Sequence, residues 1–286
     1  MSQTLEEVIR VAAHSDISSI QNIVSRIMEV IQSPKSNAID LKNLIEIDPP
    51  LASRVLKLAN SAYYGMKRRM GEILDAIVCI GFEAVKELAL SQKVCELFHK
   101  DVLMHGYSRS AIWMHSICVA QCGKMIYRRE FRLPGDDIYT LGLLHDLGII
   151  VEDQFLRKEF TQILERRKKE KKDLIETEMA VLGYCHEDIA RRLTEEWHFP
   201  DVLCKTIGYA ERPRPAPEEY SRLAKTLYLS NYACRKARLG YNECHRETDE
   251  VYYECLKAVD IKEKSLSLIM VDVDKTVRQM QRDGWF

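Results

Sequence analysis

The chain has 286 residues, 46% of them apolar and 30% charged, with a formal net charge of −1 and a pI of about 6.7. This length supports one large globular domain or two modest ones, and near-neutrality excludes a global field that draws the molecule to nucleic acid or an anionic membrane. The nine cysteines are odd in number and scattered through apolar runs, the start MSQTLEEVIRVAAHSD lacks a basic segment leading into an apolar core, and no stretch of about 18 apolar residues occurs. A cytoplasmic protein with reduced thiols and no membrane span is expected.

Residues 1–15 carry a short helical pattern (Leu5, Val8, Ile9, Ala12) and read as an arm, either docked or frayed. From Asp16, the residues Ile17, Ile20, Ile23, Val24, Ile27, Met28 and Ile31 fall at three- and four-residue steps, which predicts an amphipathic helix stopped at Ser33-Pro34. A second helix is expected over about Ile39 to Glu46. Asp48 then serves as N-cap of a third, which carries Leu51, Val55, Leu56, Leu58 and Ala59 and ends in Asn60-Ser61-Ala62-Tyr63-Tyr64-Gly65. Lys67, Arg68 and Arg69 form a basic loop beside Tyr63 and Tyr64. This reads as a helix end in preference to a stacking platform for nucleic acid. The pattern Ile73, Ala76, Ile77, Ile80, Gly81 leads to a helix from Phe82 to about Phe98.

Residues 108–127 place Ala111, His115, Cys118, Cys122 and Met125 on one helical stripe, so His115 is expected to face inward, with the two cysteines as core packing. Asp136 is expected to cap the next helix, which contains the apolar run LGLLHDLGII over residues 141–150. His145 and Asp146 lie in the middle of that run and must be desolvated, so they need a metal, a substrate or a hydrogen-bond network as partner. Residues 157–172 hold eight basic and three acidic side chains and read as a solvated helix face, or else a docking surface for an acidic partner. His186 shares an inward stripe with Ile189, Ala190, Leu193 and Trp197, whereas His198, His99, His105 and His245 read as surface residues. The segment ERPRPAP over residues 211–217 holds three of the eight prolines and reads as a boundary or rigid strap. A helix over about Glu218 to Leu239 follows, with Leu223, Leu227, Asn231 and Cys234 on one side. No alternating run of the kind that builds a sheet occurs, so an all-α fold is expected.

Three linked stretches carry a resemblance: Ile45-Glu46-Ile47-Asp48-Pro49-Pro50-Leu51, the helix end Leu56 to Gly65, and Ala76-Ile77-Val78-Cys79-Ile80-Gly81. In this order they resemble the HDOD domain, a degenerate relative of the HD phosphohydrolases found in bacterial signalling proteins. The resemblance implies an HD-superfamily-like helical bundle over residues 16–211, with an N-terminal lobe at about 16–105 and an HD-like lobe at about 106–211. Residues 212–286 would form a C-terminal helical extension packed on the HD-like lobe. It also implies the HD constellation of a His on a preceding helix (His115), the His145-Asp146 pair, and a closing Asp, at whose aligned position stands Asn231. Dinuclear relatives carry a His like His186 and then a His-His pair, where this chain has Tyr209-Ala210.

Imidazole with carboxylate suits zinc, iron or manganese. The expected site is therefore at most one divalent metal on His115, His145, Asp146 and His186, with Asn231 in place of the closing Asp. The function implied is a non-catalytic signalling module acting in trans on a sensor kinase, receiver or cyclic-dinucleotide enzyme, without specific nucleic-acid or membrane partners. A metal-dependent phosphohydrolase and a nucleotide-binding sensor are the alternatives.

Overall fold

The computed structural model describes residues 3–33, 35–62, 64–65, 67–98, 103–104, 106–241 and 249–285. Among these residues there is no β-strand, only one isolated bridge between Met104 and Tyr107, and no helix is long and apolar enough to cross a membrane. The chain divides into two compact units, residues 1–15 with 98–274, and residues 16–97 with 275–286.

The first helix, α1 (Leu5–Ala13), starts with a reciprocal capping box. Thr4 accepts from the Glu7 N–H, and the Glu7 carboxylate accepts from the Thr4 N–H. It buries Val8, Ile9 and Ala12, so the arm is docked, against helices of the larger unit named below.

The smaller unit is built from α2 (Asp16–Gln32), α3 (Ala38–Glu46), α4 (Pro49–Ala59), α5 (Ile73–Ile80) and α6 (Phe82–Cys95). Their inward stripes bring Val24, Ile27, Leu41, Ile45, Leu51, Val55, Ile73 and Leu88 into one core. Asp48 accepts from the Leu51 N–H at 3.1 Å and pairs with Lys93 at 2.6 Å, so the expected cap also ties α4 to α6. At the other end of α4, Asn60 donates to the Leu56 and Met70 carbonyls and accepts from the Met70 N–H, which bolts the following loop to the helix end.

The larger unit is organised on α7 (Arg109–Ile126), which runs on into a π-turn at Tyr127–Phe131 and packs along α8 (Asp136–Leu144). Then follow α9 (Leu147–Phe155), α10 (Arg157–Glu170), α11 (Leu174–Val181), α12 (His186–Glu196), α13 (Asp201–Ile207), α14 (Glu218–Lys236), α15 (Asp249–Ala258) and, as far as residue 274, α16 (Glu263–Arg282). α1 rests on α9 and α12. On α10 only Phe160, Ile163 and Leu164 are buried, so its basic residues are a solvated face.

Three details differ from the sequence reading. Gly135, with φ 87°, precedes α8 in place of Asp136, which is the first helical residue. His145 and Asp146 are not within one helix but form the turn between α8 and α9, with Asp146 at φ −96° and ψ 12°. The compact units divide at 97/98 instead of near 105, and residues 275–286 group with the smaller one. The readings for His99, His105, His245 and Tyr63 lie outside the described residues.

Candidate functional site

Two close backbone approaches assemble the candidate site inside the larger unit. At Gly142 a Cβ would lie 2.4 Å from the Ala120 Cα, so only glycine lets α8 press against α7 and bring His145 toward His115. At Gly148 a Cβ would lie 2.0 Å from the carbonyl oxygen of His186, so α9 meets the first turn of α12 without an intervening side chain. Asn231 and Arg235 reach the same place from α14, and Glu211 from the proline-rich strap after α13.

All five residues expected from the sequence are brought together and buried: His115, His145 and Asp146 are 0% exposed, and His186 and Asn231 1%. His145 donates from Nδ1 to the Gly142 carbonyl at 2.9 Å, which leaves its Nε2 as a lone pair 3.3 Å from Asp146 Oδ2. His186 places Nδ1 2.8 Å from Glu178, whose carboxylate also accepts the His186 backbone N–H at 3.0 Å. His115 Nε2 lies 2.8 Å from Asn231 Oδ1 and 4.0 Å from Asp146 Oδ2. With the Asn231 amide donating to Glu211 at 3.2 Å, its oxygen faces His115 Nε2, while His115 Nδ1 lies 3.2 Å from the Leu239 carbonyl, so both ring nitrogens face acceptors and a neutral His115 donates to one of them.

Charge in this pocket is set by burial working against near neighbours. Burial pulls His115 down to about 4 against the pull of Asp146, and it lowers His145 in the same way. Burial also disfavours the His186 cation, but the Glu178 carboxylate reverses this and lifts it to about 10. Asp146 is held below the usual carboxylate range despite its burial, by the histidines and by Arg235. Glu152 is raised well above it by burial and by the neighbouring Glu178 carboxylate. Arg235 is bound to Glu211 through both guanidinium nitrogens, one at 2.6 Å, with both side chains buried.

Among the described residues, His145 Nε2, His186 Nε2 and both Asp146 oxygens are buried without a hydrogen-bond partner. Ligand atoms of His115, His145 and Asp146, and again of Asp146, His186 and Glu211, come within 4.8 Å of one another. Imidazoles fixed from behind by a carbonyl and a carboxylate, with their Nε2 atoms unpartnered near a shared carboxylate, fit one divalent cation. His145 and Asp146 would hold it with His115, or Asp146 and His186 with Glu211. His115 is engaged by Asn231, Glu211 is tied to Arg235, and an incoming ion has to displace the His186 proton.

The HDOD domain family matches residues 17–213. The chain belongs to the HDOD family. An HDOD domain protein of unknown function from Geobacter sulfurreducens is 26% identical, with 93% of this chain and 92% of that one covered and a TM-score of 0.77. A provisionally named phosphohydrolase of Shewanella amazonensis SB2B shares the fold at 22% identity, 99% and 98% coverage and a TM-score of 0.73. So does a provisionally named signal transduction protein of Marinobacter aquaeolei VT8, at 23% identity, 100% and 62% coverage and a TM-score of 0.76. An uncharacterized protein of Treponema pallidum (strain Nichols) is 26% identical over 235 residues, 77% of this chain, and the present chain spans 43% of its length.

Sequence reasoning missed four members of this HDOD site: Glu152, Glu178, Glu211 and Arg235. Arg235 had a readable signal, since it lies one helical turn beyond Asn231 on the same stripe. Glu178 had one as well, one turn after Leu174. Glu211 was hidden at the head of the proline-rich strap.

Proposed function

We propose that this HDOD chain is a non-catalytic regulatory module that works through signalling proteins, and that its His-Asp cluster is a buried polar core taking at most one divalent ion. One observation carries the reading: the cluster is sealed, with His115, His145 and Asp146 0% exposed, and the residue that meets His115 is the neutral Asn231. Hydrolysis of a phosphoester needs an ion with an open coordination position, a water made acidic there, and room for the substrate. A neutral amide in place of a carboxylate also removes one anionic ligand and occupies the His115 nitrogen that would otherwise be free.

A metal-dependent phosphohydrolase is the second reading, favoured by the unpartnered oxygens of Asp146 and the lone pair of His145. Elemental analysis of the purified chain, with phosphatase and phosphodiesterase assays over added manganese, iron and zinc, separates the two. The expected outcome is no more than one ion per chain and no turnover, with activity gained, if anywhere, only in Asn231→Asp. Turnover by the native chain that is abolished in His145→Ala establishes the hydrolase.

A further inference from the structure

We propose that the groove at the C-terminal end of α4 is a binding site for a small ligand carrying two or more phosphoryl groups. The groove lies within the smaller unit and encloses about 840 Å³, with Lys57, Lys67, Arg68 and Arg69 on its walls and Leu56 and Met70 as apolar surface. Residues 49–71 contain five basic side chains and no acidic one, in a chain whose net charge is −1. Of these five, Arg54 is paired with Glu96 at 3.6 Å. The four that line the groove take part in no ion pair among the described residues.

Four like charges around one cavity repel each other, and a multiply charged anion is the chemistry that relieves this. On α10, by contrast, the cations are interleaved with acids, and Arg166 and, just beyond the helix, Lys172 both pair with Glu170. Complementing the α4 dipole accounts for Lys57, which sits in the last turn, but that effect fades beyond the last turn and Lys67, Arg68 and Arg69 follow in the loop. Nor is the loop a loose tail, because Asn60 holds Met70 from both sides of its peptide.

Guanidinium and ammonium groups together suit phosphate oxygens. The volume matches a small molecule, since such sites span roughly 300 to 1,000 Å³. Among the described residues no aromatic side chain lines the groove, so none of them supplies the stacking platform that single-stranded nucleic acid uses. The site is separate from the His-Asp cluster, and the proposal stands whether or not that cluster binds an ion.

The test is titration calorimetry of the full chain at physiological ionic strength with tripolyphosphate, ATP, orthophosphate and a short single-stranded DNA. Saturable binding of tripolyphosphate and ATP is expected, with orthophosphate weaker by roughly tenfold or more. The double variant Arg68→Glu/Arg69→Glu should lose roughly tenfold or more in affinity, while Lys168→Glu/Lys169→Glu on α10, with the same change in charge, stays within about twofold of the native chain. Lys57→Gln, a milder change at an exposed side chain, should weaken binding in the same direction and carries the test if the double variant fails to fold. Absence of binding by both polyphosphate probes, equal losses in the groove and α10 variants, or tighter binding of DNA than of ATP overturns the proposal.

Discussion

A methyl group at Gly148 tests how the His-Asp cluster is held together. The added Cβ would lie 2.0 Å from the His186 carbonyl oxygen, 2.7 Å from its carbonyl carbon and 2.8 Å from its Cα. Ordinary contact begins at 3.4 Å, so α9 and the start of α12 must separate by roughly 1.4 Å. Every obstructing atom is backbone, and no flexible side chain can swing aside. Overpacking of a core typically costs about 1–3 kcal/mol, and a backbone clash of this depth belongs at the upper end, about 3 kcal/mol. The same displacement carries His186 away from Asp146, and metal ligands tolerate only about 0.2 Å. Urea denaturation followed by circular dichroism gives the first quantity, and the shift in melting temperature with added zinc or manganese gives the second. Gly71→Ala is the control, because nothing lies within 4 Å of a Cβ there. If Gly148→Ala unfolds within about 0.5 kcal/mol of the native chain, the close approach of α9 to α12 is refuted.

Asp48→Asn should keep the cap on α4 and lose only the contact to Lys93, costing about 0.5–1 kcal/mol at neutral pH in a urea melt. The Asp48 pKa is lowered: burial opposes this, but the Lys93 ammonium and the Leu51 N–H outweigh it. Its contribution is therefore present above the unfolded value of 3.8 and lost as pH falls through the lower folded value. The gap between native and variant should close in strong acid, and a gap that persists there refutes the assignment. Brief iodoacetamide labelling mapped by mass spectrometry should, among the described thiols, modify Cys79 first, because the other seven are buried and burial pushes Cys95 up to about 11 and Cys255 up to about 12. Rapid modification of Cys118 or Cys234 in the folded chain would contradict the packing of α7 against α14.

The helices were legible because stripes such as Ile17, Ile20, Val24 and Ile27 repeat at the spacing that one buried face requires, and the cap at Asp48 is local chemistry. The gathering of His115, His145, Asp146 and His186 followed from the same logic, since polar residues on apolar stripes can only meet one another. The break between α8 and α9 was not legible: the run LGLLHDLGII contains no proline, and its apolar residues are buried on both sides of the turn. The acids were missed for a related reason. Glu152 looks like an ordinary helix-surface residue until its neighbours are known, and only the fold puts Glu178 behind His186. The division at 97/98 leaves no mark because neither proline nor a charge run falls there.

The Arg235–Glu211 pair has a consequence for how the protein is made. A guanidinium cannot be lost to a chelator, diluted or outcompeted, and it lies close enough to help hold Asp146 ionised from the moment α14 docks. A core that relied on an ion to neutralise such a carboxylate would have to wait for that ion before it could close. A newly synthesised copy of this chain carries its counter-charge in the polypeptide, so its yield of folded protein should be the same in a metal-starved cell as in a replete one.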